Sequence, residues 1–157
     1  MQPRCCEVFM SYDLVVFDAE VAPRDRDGFM SWYAEQTQWN ESHNYHDPQV
    51  TVPGLRDWFL EMIQQFPAMN GPYASQDDDE PKVSDYAIGR SLIYIAFAWS
   101  QAEAACLATF EMAEKHKLGF FNASSQDEQV WAPNTRGEYE CIHAAQNSPK
   151  KKRWWRR

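Results

Sequence analysis

The sequence has no spaced pair of cysteines and no long apolar run. Cys5 and Cys6 are adjacent, whereas Cys106 and Cys141 stand alone. Disulfide frameworks and structural zinc sites use spaced pairs such as C-x-x-C, so we expect neither. No stretch approaches the roughly 20 apolar residues that span a bilayer, and the N-terminus lacks the apolar block of a signal peptide. These absences predict a cytoplasmic protein without a membrane span.

Catalytic motifs are missing as well. The 157 residues include only six glycines, and none of them forms part of a phosphate-binding Gly-rich loop. The nucleophile motif G-x-S-x-G and the zinc motif H-E-x-x-H are absent too. Scattered carboxylates can still meet in three dimensions, so an enzymatic function stays as the alternative. The sequence nevertheless favours a protein that is not an enzyme and has no cofactor.

Negative charge is abundant, and it is unevenly distributed. The chain has 15 basic and 23 acidic residues, and six of the basic ones lie in the last eight positions. Without those six, nine basic residues face 23 acidic ones, a net charge of −14. A body of this charge repels nucleic acid and attracts basic surfaces. The six C-terminal cations are Lys150, Lys151, Lys152, Arg153, Arg156 and Arg157.

The C-terminal segment combines these cations with two indoles. Such a segment can bind phosphates, stack on bases or adsorb to an anionic bilayer. Alternatively, it is a disordered terminus that folds back on its own acidic body. We favour the second interpretation, because six charges are few for tight binding at physiological salt. The predicted organisation is an irregular leader (1–9), a single domain (10–145) and a basic, disordered tail (146–157).

Hydrophobic periodicity predicts one strand and two helices in the first half of the domain. From Ser11, the run SYDLVVF has strong β-formers and is apolar on both faces, which is typical of a central strand. A helix with an aromatic stripe through Phe29 and Trp32 follows. A second helix opens around Pro53 with apolar residues at i, i+3, i+4 and i+7, and Pro67 ends it.

The second half is richer in strands. Gly89 and Arg90 separate two β-rich runs and predict a hairpin, whose second strand (LIYIAFA) should be buried on both faces. Ser100 and Glu103 form a predicted capping box for a helix that ends before Gly119. Further short strands are predicted at residues 120–123, 130–132 and 138–142.

The predicted order, β-α-α-β-β-α-β-β, indicates the α+β class. We expect a two-layer sandwich in which helices cover one face of a mostly antiparallel sheet, in a ferredoxin-like arrangement.

The segment WNESHNYHDP (39–48) contains two of the four histidines. His43 and His46 could converge on a metal with Glu41 or Asp47, but H-x-x-H alone is a weak pattern. A catalytic zinc site needs three protein ligands and further residues that orient them. A metal site on His43 and His46 is therefore the less favoured interpretation.

The favoured interpretation of the same segment is a polar loop. Its Asn, Ser and Asp side chains can satisfy backbone groups, while Trp39 and Tyr45 anchor the loop to the core. Such a loop still leaves a surface for a ligand or partner.

An acidic run lies in a Pro-flanked loop, at Asp77, Asp78, Asp79 and Glu80. It lacks the alternating ligands and the glycine of an EF-hand. The run predicts a solvated surface, with electrostatic attraction of a cationic partner as the alternative.

Several phrases between residues 11 and about 133 carry a resemblance: SYDLVVFDAE, FMSWYAEQTQW, LRDWFLEMIQQFPAMNGP, SDYAIGRSLIYIAFAWSQAEAA and KHKLGFFNAS. They resemble a family of small cytosolic bacterial proteins of poorly defined function. Some relatives occur near contact-dependent or type VI secreted toxins and are described as immunity proteins. The resemblance implies an interaction protein, but it carries no functional residue to any position here.

Two functions follow as hypotheses. The first is an acidic immunity protein that neutralises a cationic secreted toxin, for example a nuclease, by covering its active surface. The second is a small-ligand or metal-binding enzyme that uses His43 and His46. A homodimer through a sheet edge or a helix face is compatible with either. The predicted partner-binding residues are Trp39, Glu41, Tyr45, Asp47, Asp77, Asp78, Asp79 and Glu80.

Overall fold

The computed structural model describes residues 11–77 and 79–145. Residues 1–10, Asp78 and residues 146–157 lie outside the described part. The predictions made for the leader, for the C-terminal tail and for Asp78 therefore lie outside it too.

A six-stranded antiparallel sheet forms the centre of the molecule, with the strand order β2-β3-β1-β4-β5-β6. This confirms the predicted α+β class and the predicted hairpin at Gly89–Arg90, which joins β2 to β3. In chain order the strands are β1 Ser11–Phe17, β2 Asp85–Ile88, β3 Leu92–Ala98, β4 Gly119–Asn122, β5 Val130–Pro133 and β6 Tyr139–His143.

Three α-helices accompany the sheet: α1 Arg26–Gln36, α2 Pro53–Met62 and α3 Ala102–Lys115. The Asp25 side chain begins α1 by accepting a hydrogen bond from the backbone N of Gly28 (2.7 Å). Such a cap satisfies an amide that the first helical turn leaves without a partner. None of these helices has the length and apolar character needed to cross a bilayer, within the part of the chain described.

The larger core lies between α2, α3 and one face of the sheet. Leu14 and Val16 of β1 and Trp58 of α2 are fully buried there. The strands β1 to β4 with α2 and α3 follow the order β-α-β-β-α-β, and the split pairing β2-β3-β1-β4 matches the ferredoxin-like arrangement. Strands β5 and β6 extend this sheet beyond β4.

The reverse face of the sheet carries a second, smaller core. We expected every helix on one face, and two of the three lie there, but α1 packs on the other face through Phe29. The ring of Phe29 contacts Phe17 of β1 (centroids 5.1 Å apart) and Phe121 of β4 (5.4 Å). Strand β1 is apolar on both faces, so Val15 and Phe17 on the reverse face must also be shielded from water. Helix α1 packs over them.

The predicted capping box at Ser100 and Glu103 is wrong. Ser100 lies inside a 3₁₀ turn, Trp99–Gln101, and the residue that precedes α3 is Gln101, without a side-chain hydrogen bond to the helix. The chain tightens into this turn directly after β3. Ser100 therefore lies within helical backbone that begins at Trp99, and it does not occupy the N-cap position.

The predicted burial of β3 holds for one face and only partly for the other. Ile93, Ile95 and Phe97 are at most 1% exposed. On the opposite face Tyr94 and Ala96 stay partly exposed. The sequence pattern is apolar on both sides, yet α1 covers only one end of the reverse face.

Candidate functional site

The histidine loop, which we define as residues 39–47, is attached to the β2 edge of the sheet. The Trp39 ring lies edge-on against Tyr45 (centroids 5.1 Å apart) and against Tyr94 of β3 (6.3 Å). The Tyr45 carbonyl accepts a hydrogen bond from the backbone N of Ile88 in β2 (2.8 Å). Trp39 and Tyr45 therefore anchor the loop, as the favoured sequence interpretation proposed.

Glu41 is the central acceptor of this loop. Its Oε1 accepts hydrogen bonds from His43 Nε2 (2.6 Å) and from the backbone N of Arg90 in the β2–β3 turn (3.0 Å). The backbone N of Glu41 donates to the Tyr45 hydroxyl (2.6 Å). The polar groups of Glu41 and Tyr45 thus bond within the loop and to β2 and the turn that follows it, so both residues fix the shape of the predicted partner surface.

Both ring nitrogens of His43 face acceptors. Nδ1 lies 2.6 Å from the carbonyl oxygen of Asn44, and Nε2 lies 2.6 Å from Glu41 Oε1. Each contact requires a proton on the nitrogen, which describes an imidazolium. The hydrogen bond to the Asn44 carbonyl is the largest cause that raises the pKa of His43 above its usual value; burial opposes it, and the hydrogen bond to Glu41 adds to the increase.

This geometry favours the loop interpretation over the metal site. A histidine binds a metal through an unprotonated ring nitrogen, and both nitrogens of His43 are turned to acceptors. Residues 11–77 and 79–145 contain no group of three or more His, Cys, Asp or Glu side chains arranged to hold a metal ion. His46 is exposed, and its backbone N donates to the Asn44 side chain (2.9 Å).

We expect His43 to titrate above the ordinary histidine pKa, and Glu41→Gln to lower that pKa. The folded-state pKa is raised, so protonated His43 stabilises the fold fully below the unfolded-state value of about 6.5. This contribution is lost as the pH rises through the folded-state pKa. Side-chain NMR titration of the full chain measures the pKa, and unfolding of His43→Gln across the same pH range measures the stability.

The control for this titration is His46→Gln, because the His46 ring forms no hydrogen bond within the described residues. It should leave the raised pKa of His43 in place. A His43 that titrates at or below the ordinary value would contradict the doubly protonated ring.

The acidic loop, which we define as residues 67–84, contacts the histidine loop through Gly71. Gly71 has a φ of +87° and packs so closely on the backbone of His46 that a side chain would collide with it. Asn70 Nδ2 donates to the Asp85 carboxylate of β2 (3.3 Å). The structure therefore brings the two predicted loops together, through a contact between His46 and Gly71, a glycine that the sequence did not single out.

The carboxylates predicted to meet a partner differ in what they do. Asp77, Asp79 and Glu80 are exposed, and Asp77 Oδ1 accepts from the backbone N of Asp79 (3.3 Å). Asp47 accepts from the backbone N of Gln49 (2.9 Å) and so begins the 3₁₀ turn Pro48–Val50. Among these predicted carboxylates, the exposed ones lie on the acidic loop, whereas Asp47 caps a 3₁₀ turn.

A groove that the sequence did not indicate lies on the reverse face of the sheet, beside α1. Its volume is about 440 Å³. One wall is the end of α1 and the start of the histidine loop, and the floor is the uncovered end of β2 and β3. We call it the acid–aromatic groove; it is lined by Tyr33, Thr37, Trp39, Asp85, Ala87, Tyr94 and Ala96.

Two carboxylates flank the floor of this groove. Ala96 of β3 pairs with Asp13 of β1 on one side and with Asp85 of β2 on the other. Directly opposed residues of antiparallel strands share a face, so both carboxylates stand on the groove side. Neither forms an ion pair with a Lys, Arg or His among the described residues.

Tyrosine hydroxyls complete the polar lining. Tyr94 Oη donates to Asp13 Oδ2 (2.6 Å), and Ser11 Oγ donates to Asp13 Oδ1 (2.8 Å). Burial and this hydrogen bond raise the pKa of Tyr94, while burial and the charge of Asp13 raise the pKa of Tyr33 to about 12. Both hydroxyls stay protonated near neutral pH, so the negative charge here belongs to the carboxylates.

Carboxylates beside aromatic rings are suited to organic cations. An ammonium or guanidinium group gains charge-assisted hydrogen bonds from the first and cation–π attraction from the second. The sequence signal was an acid, Asp13, within an otherwise apolar strand, but its alignment with Ala96 and Asp85 required the sheet register.

Comparison of the chain with protein-family models, with curated proteins and with solved structures finds no match.

Proposed function

We propose that this chain is an acidic cytoplasmic binding protein that neutralises a cationic protein toxin, such as a nuclease, by covering its basic active surface. The observation that carries the proposal is a group of carboxylates, on β1, on β2 and on the acidic loop, that form no ion pair among the described residues. Asp13 and Asp85 flank the acid–aromatic groove without an ion pair among the described residues. Asp77 and Glu80 are exposed on the acidic loop, which Asn70 joins to Asp85.

Charge and shape support this function in different ways. A net charge of −14 before the basic C-terminal segment accelerates the encounter with a basic partner by long-range attraction. Partly exposed aromatic side chains such as Trp39 and Tyr94 offer anchors that a partner can bury. Charge supports a basic partner in general, whereas the choice of a secreted toxin rests on the sequence resemblance.

The test uses, as a purified protein, the toxin region that the proposed function places beside this gene. Asp77→Asn, Asp79→Asn and Glu80→Gln in one variant remove three exposed charges from the acidic loop. We expect the association rate to fall about tenfold at low salt with a much smaller change in dissociation, because distant charges act mainly on encounter. Surface-immobilised full chain and kinetic binding measurements give both rates.

A matched control removes three exposed acids from α3, outside both loops: Glu103→Gln, Glu111→Gln and Glu114→Gln. This control should slow association clearly less than the acidic-loop variant does. Equal effects of the two triple variants would show that no local surface is involved. A toxin that binds but stays active, or no binding at all, would overturn the proposed function.

A further inference from the structure

We propose that the acid–aromatic groove is a docking site for the chain's own C-terminal segment, residues 146–157. This docking does not depend on the proposed function. It assigns one occupant to a groove that is open on the reverse face of the sheet.

The chemistry of the two partners is complementary. The segment has six cationic side chains and two indoles, Trp154 and Trp155. The groove offers the carboxylates of Asp13 and Asp85, and aromatic rings in its wall and floor. Lysine and arginine heads form charge-assisted hydrogen bonds with such carboxylates, and indoles stack edge-on or offset with tyrosine rings.

The described chain ends close to the groove. The backbone N of Ala145 donates to the carbonyl of Asp127 (2.8 Å). In the same turn, Ser124 Oγ accepts a hydrogen bond from the backbone N of Asp13 (2.7 Å). The last described residue therefore lies beside the turn that is bonded to Asp13 of β1, the strand next to the groove floor.

The segment is long enough to cross the groove. Twelve residues extend to at most ~40 Å, whereas the distance across the sheet from Asp13 on β1 to Asp85 on β2 is two strand spacings, about 10 Å. Attachment to the same chain also gives the segment an effective concentration in the millimolar range. A weak local affinity is therefore sufficient for substantial occupancy.

The groove is a better site for this segment than the exposed acidic loop. Asp77 and Glu80 stand in solvent, where single ion pairs contribute little. In the groove, carboxylates and rings act on one segment together. If the proposed function holds, the segment competes with a cationic partner for this surface, and only that consequence rests on the proposed function.

The experiment follows the indole N–H signals of Trp154 and Trp155 by NMR in the full chain. Trp154→Phe and Trp155→Phe variants assign them, and a synthetic peptide of residues 146–157 gives their undocked positions. We expect displaced signals in the full chain at low ionic strength, which move toward the peptide positions at high ionic strength. Asp13→Asn with Asp85→Asn should lower the ratio of docked to free segment about fivefold, as two partly exposed ion pairs are lost.

Two further variants test whether the release of the segment is specific to the groove. Asp13 also holds Tyr94 and Ser11, so Ala87→Lys blocks the groove without touching these bonds and should release the indoles as well. Asp77→Asn with Asp79→Asn removes equal charge outside the groove and should leave the signals in place. Indoles at the peptide positions in the unmodified chain would overturn the proposal. Release by the control alone, or by both pairs equally, would do the same.

Discussion

Replacement of Phe29 by alanine is expected to lower the free energy of unfolding by about 3–5 kcal/mol, the usual range for a large buried aromatic residue. Phe29 is fully buried, and it is the only residue of α1 that is. Its ring contacts Tyr33 in parallel stacking (centroids 6.2 Å apart) and Phe121 edge-on (5.4 Å). Without it, α1 loses its main attachment to the reverse face of the sheet.

The second expected result of this substitution concerns the acid–aromatic groove. Tyr33 and Thr37, at the end of α1, form one of its walls. We therefore expect the amide signals of Tyr94 and Ala96 on the groove floor to change as α1 loosens. Urea unfolding measures the stability, and two-dimensional amide NMR of the folded variant measures the local change.

The matched control for Phe29→Ala is Phe66→Ala. Phe66 is equally buried and packs edge-on against Phe97 (centroids 5.3 Å apart), on the opposite face of the sheet. It should cost a similar free energy without disturbing the groove. A loss below about 1 kcal/mol for Phe29→Ala, typical of surface positions, would contradict the assigned role of this side chain.

Gly119→Ala is expected to destabilise the fold by about 3 kcal/mol, at the upper end of ordinary overpacking. Gly119 begins β4 and pairs with Phe17 of β1, whose ring lies directly where a side chain on residue 119 would go. That ring cannot easily move aside, because it packs against Phe29 (centroids 5.1 Å apart) and Trp32 (5.8 Å). Urea unfolding of the full chain measures the loss.

Gly54→Ala provides the control for Gly119→Ala. Gly54 lies in α2, and an added methyl group there would meet only Leu118 Cδ2 at an ordinary contact distance of 3.4 Å. Alanine favours a helix over glycine by up to about 1 kcal/mol, so this variant should be neutral or slightly stabilised. Phe17→Leu in the Gly119→Ala background should restore part of the loss. No rescue, or no loss in the first place, would show that this contact does not limit packing.

Much of the fold was predictable because it depends on local pattern. The alternation in SYDLVVF, the stripe along α2 and the Gly89–Arg90 turn each arise within a few residues. Each therefore appears in the sequence without knowledge of its neighbours. The serine at position 100 misled for the same reason: a capping pattern is local, but the 3₁₀ turn after β3 depends on how the chain leaves the sheet.

The candidate site was predictable only in part. The polar loop at 39–47 and its two aromatic anchors followed from composition. The role of Glu41 did not, because its carboxylate is bonded to the backbone of Arg90, 49 residues along the chain. No local sequence pattern indicates that a side chain will form a hydrogen bond with a turn far away in the chain.

The sequence by itself determined the acidic character of the body, the α+β class and most of the elements, since charge adds up residue by residue and periodicity is local. Only the tertiary structure decided which face of β3 stays open. Asp13 meets Tyr94, 81 residues away, through the register of the sheet. The groove exists because α1 ends at Gln36, before it covers the floor. The position at which a helix ends above a sheet depends on packing between distant segments of the chain. The sequence of a single segment therefore does not reveal it.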